Sequence, residues 1–367
     1  MSAPVLQSAA RDGACVRFRW TDGFEASFAT AWLWDNTPSA RAPSGQRLTP
    51  ALSLDEAGPI RHIDANGENV RIAFDLKEIS WPAAKLRDWA TRKDSGERIL
   101  WPSGDAFAAR AVVPHSTYLA DDTALKAVLS DVTAYGMARL SGAGTDPATL
   151  EQTVRRFGYI RETNYGRLFE VRVTFDPDNL ANTNRALEAH TDNPYRDPAP
   201  TLQLLHCIRN AGGGGATFFL DGFALAEAFH ETHPEDFHRL ATTPVPFAFT
   251  SGDGGRYEAR APVIRLAADG AIAGIRFNHR SLAPVDLEPV QTAQWYGSYW
   301  AFVRKAAENA RQFKLDMKPG DIVIFDNERI LHGRDAFSGA SERLLYGCYS
   351  DRDGLLATLA RLSNGVA

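Results

Sequence analysis

Two short stretches far apart in the chain must meet in any fold that uses them together. The first is Glu188-Ala189-His190-Thr191-Asp192-Asn193-Pro194-Tyr195, an H-x-D pair. The second, Leu331-His332-Gly333-Arg334, places His332 142 residues after His190, with Arg343 eleven residues beyond His332. Two imidazoles and one carboxylate on one face of a metal are the ligand set of a non-haem iron(II) centre, with positions left open for other ligands. His190 and Asp192 are two apart, so on a strand both point to the same face. His332 must then arrive from elsewhere in the fold, as the mouth of a β-barrel permits. Arg343 lies in the apolar run Leu344-Leu345-Tyr346-Gly347-Cys348-Tyr349, a strand by composition. A guanidinium there stays charged and holds a carboxylate bidentately. The distal carboxylate of 2-oxoglutarate is the expected guest, with the hydroxyl of Thr217 beside it.

An H-x-D tripeptide alone is weak, and most histidines are structural. His62, His115, His206, His230, His233 and His238 are read that way. The combined pattern is more specific. H-x-D stands ahead of a strand-like run, Pro319-Gly320-Asp321 opens another, and His332 and Arg343 follow.

The surrounding pattern predicts a mainly β chain with flanking helices. Val16–Trp20 and Val70–Phe74 alternate apolar and polar residues around turn signals, which predicts a small β-rich N-terminal domain over residues 1–100. Trp81 to Asp94 has helical spacing, and Pro102-Ser103-Gly104-Asp105 reads as a linker. Residues 101–367 form the second predicted domain. Leu119–Tyr135 and Pro147–Phe157 read as helices. Strands follow at Phe169–Val173, Thr201–Ile208, Ala216–Leu220 and Asp321–Phe325, and helices at Gly222–His230 and Thr292–Gln312. Many strands with glycine-rich turns suggest a double-stranded β-helix, or jelly roll. Gly212–Gly215 lacks the Lys-Ser/Thr of a phosphate-binding loop and reads as a hairpin turn.

Bulk chemistry narrows the partners. The net charge is -5 with no basic block, which argues against nucleic acid or an anionic membrane. The three cysteines, Cys15, Cys207 and Cys348, have no paired spacing. The N-terminus lacks a signal-peptide pattern and no run is long enough to span a membrane. A reducing cytoplasm is the expected compartment.

The motif His190–Tyr195, together with Gln203–Ile208, Asp221-Gly222-Phe223 and Phe325–Arg334, resembles the gamma-butyrobetaine hydroxylase branch of the TauD-like Fe(II)/2-oxoglutarate dioxygenases. Trp32-Leu33-Trp34-Asp35-Asn36 is similar to that branch's N-terminal W-L-R-D-N segment. The resemblance implies iron held by His190, Asp192 and His332, 2-oxoglutarate on Arg343, a small-molecule substrate, dioxygen, and a homodimer. Thr37, Ser39 and Ala42 stand where the relatives' zinc cysteines are expected, so no structural zinc is expected here.

Matching segments places Tyr165, Phe169, Asn182 and Tyr349 at the positions of an aromatic trimethylammonium cage. Phe169 replaces a Trp and Asn182 a Tyr. Tyr195 adds a polar aromatic edge. Asn179 and Asn278 fall on anion-binding asparagines, with Arg280 added nearby. Asn193, Tyr195 and Arg280 together resemble the phosphonate-acting relatives. The expected substrate is 2-(trimethylamino)ethylphosphonate hydroxylated at C1, with gamma-butyrobetaine as the alternative. A non-catalytic ligand-binding relative is the other class; Arg343 argues against it, since cosubstrate binding is what needs that residue.

Overall fold

The computed structural model describes residues 4–48, 58–91, 98–172, 185–211, 215–336 and 342–364. The chain divides into two compact units, Met1–Ser95 and Gly96–Ala367. No described helix is long and apolar enough to cross a membrane.

The first unit contains β1 (Leu6–Asp12), β2 (Cys15–Trp20), β3 (Glu25–Ala29), α1 (Thr30–Asp35), β4 (Ile60–Ala65), β5 (Asn69–Phe74), β6 (Glu78–Pro82) and α2 (Ala83–Thr91). The strands form two antiparallel three-stranded meanders, β1-β2-β3 and β4-β5-β6. Alternation decides which side chains go inward: Val16, Phe18 and Trp20 of β2 share a core with Val70, Ile72 and Phe74 of β5. Trp32 of α1 stacks on Trp81 at 5.3 Å, and the Trp81 indole donates to the Leu33 carbonyl at 3.0 Å. Trp81 itself lies in β6, so α2 begins two residues later than the helical spacing predicts.

The second unit runs α3 (Gly104–Ala108), β7 (Val112–Pro114), α4 (His115–Ala120), α5 (Asp122–Tyr135), β8 (Met137–Ser141), α6 (Ala148–Arg155), β9 (Ile160–Arg161), β10 (Phe169–Arg172), β11 (Leu187–His190), β12 (Leu202–Ala211) and β13 (Thr217–Asp221). It continues with α7 (Gly222–Thr232), α8 (Pro234–Thr242), β14 (Val245–Thr250), β15 (Arg256–Ala261), β16 (Ile264–Leu266), β17 (Ile272–Ile275), α9 (Pro289–Ala306), β18 (Phe313–Leu315), β19 (Ile322–Asp326), β20 (Ile330–Arg334), β21 (Glu342–Ser350) and α10 (Arg352–Ser363).

A seven-stranded sheet has the order β10-β21-β12-β19-β8-β7, with β9 also on β21; a four-stranded sheet has the order β11-β20-β13-β18. Leu205 and Cys207 of β12, Val323 and Phe325 of β19, and Leu345 of β21 share one core with Phe219 of β13, Phe313 of β18 and Ile330 of β20. The two sheets therefore face each other. Alternate residues Leu202, Leu204, Ile322 and Ile324 pack outward against α5, α6 and α10. Burial on both faces explains why these strands read as nearly continuous apolar runs.

Three expectations need correction. Pro102–Asp105 is packed inside the second unit: Trp101 is buried, and a Cβ at Gly104 would stand 2.0 Å from the Gln312 carbonyl oxygen. Residues 212–214 lie outside the described residues, but their flanking strands β12 and β13 belong to different sheets and form no hairpin. Helices α8 and α10 went unpredicted. Yet α8 carries its own signals, a proline at its start and Glu235 and Asp236 in its first turn.

Candidate active site

His190 is the last residue of β11, and His332 sits directly opposite it on β20. The antiparallel ladder alone thus brings the two imidazoles together, with ring centroids 4.3 Å apart. His332 arrives on the neighbouring strand rather than from a distant part of the fold. Asp192 differs from expectation. β11 has ended before it, so strand alternation does not aim its carboxylate.

Asp192 Oδ1 lies 3.3 Å from His190 Nε2, and Oδ2 lies 3.9 Å from His332 Nε2. The three side chains form the single candidate metal-binding group among the described residues. The His190 Nδ1 contacts the Glu188 carbonyl at 2.8 Å. A carbonyl only accepts, so Nδ1 carries a hydrogen and Nε2 is the nitrogen that faces Asp192. Burial and the neighbouring His190 push His332 down to about 3, so His332 is neutral near pH 7. Burial alone would raise the Asp192 carboxyl, but His190, His332 and Tyr349 outweigh it and keep it ionised. Two imidazoles and a carboxylate whose ligand atoms lie within 4.8 Å of one another suit a divalent cation, and imidazole with carboxylate suits iron(II).

Around this group lies a cavity of about 550 Å³. Its walls are the inward residues of both sheets: Gln203 and Leu205 of β12, Thr217 of β13, His332 and Arg334 of β20, and Arg343, Leu345 and Tyr349 of β21. Arg343 is buried and donates to the Thr217 hydroxyl at 2.9 Å. The predicted pair for the cosubstrate carboxylate therefore meets. Arg334 was quoted in the motif but given no role. Two residues past His332 on the same strand, it faces the same cavity, and that spacing was the available signal. Burial and the guanidiniums of Arg343 and Arg280 push Arg334 down to about 10. Such a gathering of like charge around a cavity prepares it for anions.

The aromatic wall comes from separate segments. Phe169 of β10 stacks on Tyr349 at 5.0 Å. A Cβ at its cross-strand partner Gly347 would stand 2.3 Å from the Phe169 ring, so only glycine lets the ring lie there. Tyr165 lies 6.2 Å from Phe169 and 5.9 Å from Phe249, and Tyr195 stacks on Phe249 at 5.0 Å. Tyr195 donates to Asn193 Oδ1 at 2.7 Å, so the Tyr165 hydroxyl donates to Tyr195 across 3.0 Å. Phe249, on the β14–β15 hairpin, escaped the sequence reading; nothing in Val245–Thr250 separates a cavity aromatic from a core one.

Asn193 and Asn278 also line the cavity. The Asn278 carbonyl accepts the Arg280 main-chain N–H at 3.2 Å, and its amide donates to the Thr191 carbonyl at 3.1 Å. Much of its capacity therefore holds the loop. The Arg280 guanidinium has no carboxylate partner among the described residues. Asn179 and Asn182 lie outside the described residues.

Comparison with known proteins agrees with this chemistry. Residues 101–349 match the family described as "Taurine catabolism dioxygenase TauD, TfdA family", and the chain belongs to that family. It is an Fe(II)- and 2-oxoglutarate-dependent dioxygenase. A gamma-butyrobetaine dioxygenase from Pseudomonas sp. (strain AK-1) is 32% identical, over 96% of this chain and 95% of its own length. The human gamma-butyrobetaine dioxygenase is 27% identical over 100% and 99%. A trimethyllysine dioxygenase from Meyerozyma guilliermondii is 27% identical over 96% and 95%. Among solved structures, an Fe, alpha-ketoglutarate dependent oxygenase from an isonitrile synthetic pathway covers 65% of this chain and 82% of its own, with 19% identity and a TM-score of 0.47.

Proposed function

We propose that this chain hydroxylates a small trimethylammonium compound with an anionic tail, and that the preferred substrate is 2-(trimethylamino)ethylphosphonate, hydroxylated at C1. The observation that carries the reading is one cavity lined both by stacked aromatic faces and by three guanidiniums, Arg280, Arg334 and Arg343. A quaternary ammonium has no hydrogen to donate and binds to π-faces, each worth about 1–2 kcal/mol when desolvated. The relatives named for trimethylated substrates support that class.

His190, Asp192 and His332 would hold iron, and Arg343 with Thr217 the far carboxylate of 2-oxoglutarate. When bound, the metal and cosubstrate supply the oxidising power: dioxygen is reduced, the oxo acid is decarboxylated to succinate, and one C–H bond becomes C–OH. The protein's share is placement. Phe169, Tyr349, Tyr165 and Tyr195 fix the cationic end, and the anionic end meets Arg280, aided by Asn193 and Asn278. Held at both ends, the substrate presents one carbon to the metal. The two facing sheets would then be the walls of a double-stranded β-helix.

The phosphonate is favoured over a carboxylate by charge. The Arg343 guanidinium serves the cosubstrate, and Arg280, which has no carboxylate partner among the described residues, serves the substrate tail. A phosphonate brings more negative charge and a third oxygen than a carboxylate does. The alternative, gamma-butyrobetaine, is favoured by the substrate named in the 32%-identical relative. A competition assay with iron(II), 2-oxoglutarate and oxygen separates them. Preference for the phosphonate, read as succinate and hydroxylated product, is expected. Preference for gamma-butyrobetaine would make Arg280 incidental.

A further inference from the structure

We infer that Asn327 and Tyr349 are positioning residues that together make Asp192 a metal ligand, although neither belongs to the ligand group. The inference rests on the reading of Asp192 as a ligand. It starts from a gap in the fold. The ladder that aims His190 and His332 stops before Asp192, and Asn193 turns the chain away with a φ of 53°. Something other than strand geometry must hold the carboxylate.

Asn327 holds its main chain. The Asn327 Oδ1 accepts the Asp192 N–H at 2.8 Å, and Nδ2 donates to the Asp192 carbonyl at 3.0 Å and to the Pro200 carbonyl at 2.9 Å. Its own main-chain N–H donates to the Thr201 carbonyl at 2.9 Å. The side chain is 1% exposed, and both donor hydrogens and the acceptor are engaged, so it has one stable orientation. Asn327 sits in the turn between β19 and β20, five residues before His332. One turn thus sets the spacing between the two ligand-bearing segments.

Tyr349 holds the carboxylate itself. Its hydroxyl donates to Asp192 Oδ2 at 2.8 Å, while Oδ1 faces His190. Engaging Oδ2 favours metal binding through the other oxygen. The Tyr349 ring is stacked on Phe169 in the cavity wall. One residue therefore offers its face to a cationic ligand and its hydroxyl to the metal carboxylate. Outer partners of this kind typically alter metal affinity by about 10–100-fold.

The test uses the full chain, free of oxygen, titrated with Co(II) and followed by visible absorption, with thermal melting of the metal-free protein alongside. Tyr349→Phe keeps the ring and removes only the hydroxyl. Roughly tenfold weaker Co(II) binding and a changed spectrum are expected, with unaltered melting of the metal-free protein. Asn327→Ser should weaken binding at least as much; should it fail to fold, Tyr349→Phe decides alone. Parent-like affinity and spectrum in Tyr349→Phe would overturn the inference. Asp192→Ala separates the two levels. If it too binds Co(II) like the parent, the ligand assignment fails. If it loses Co(II) while Tyr349→Phe does not, only the positioning role fails.

Discussion

The two ends of the cavity are built in different ways. At the metal end, His190 and His332 are cross-strand partners and Asp192 is clamped from the turn that leads into β20. At the proposed substrate end, Tyr165 with Phe169, Tyr195 and Phe249 come from three separate segments, and Arg280 lies in the short 3-10 turn His279–Ser281. Ladder hydrogen bonds and buried amides leave the metal end little freedom. Loops and an outer hairpin let side chains change at the substrate end without moving the ligands.

Substitutions can break or sharpen that contrast. The largest effect is expected for Asp192→Ala, which removes the one anionic ligand: substrate-coupled succinate formation should vanish and metal affinity should fall. Normal product formation by this variant would sink the metal end as drawn. Next, Arg343→Ala should raise the KM for 2-oxoglutarate roughly a hundredfold, as expected for loss of a buried charged partner at about 3 kcal/mol, with the substrate KM little changed. An equal rise in both would show that the two ends share this guanidinium. The smallest effect is expected for Arg280→Gln. Its KM for the phosphonate should rise roughly tenfold, the loss of about one charge-assisted hydrogen bond, and that for gamma-butyrobetaine much less. Equal changes would remove the argument for a dianionic tail.

The contrast also governs what could be read in advance. The nearness of His190 to His332 was legible because strand pairing turns fixed spacings into fixed positions. Arg334 was equally legible, two residues past His332, but was passed over. The inward and outward faces of β12 and β19 follow from alternation alone. Phe249 was not legible, because an aromatic in an alternating strand looks the same whether it meets a core or a cavity. The sheet change between β12 and β13 was hidden for a similar reason: glycines mark a break in the chain but not where the next strand pairs.

The linear order of residues determined a candidate donor set, a guanidinium carried on a strand, and the mainly β class, since residue type and period are local properties. The tertiary structure decided which oxygen of Asp192 is engaged, which hydroxyl engages it, and which rings share the cavity. Those depend on contacts between distant segments, such as Tyr349 and Asp192, 157 residues apart, and only packing selects them.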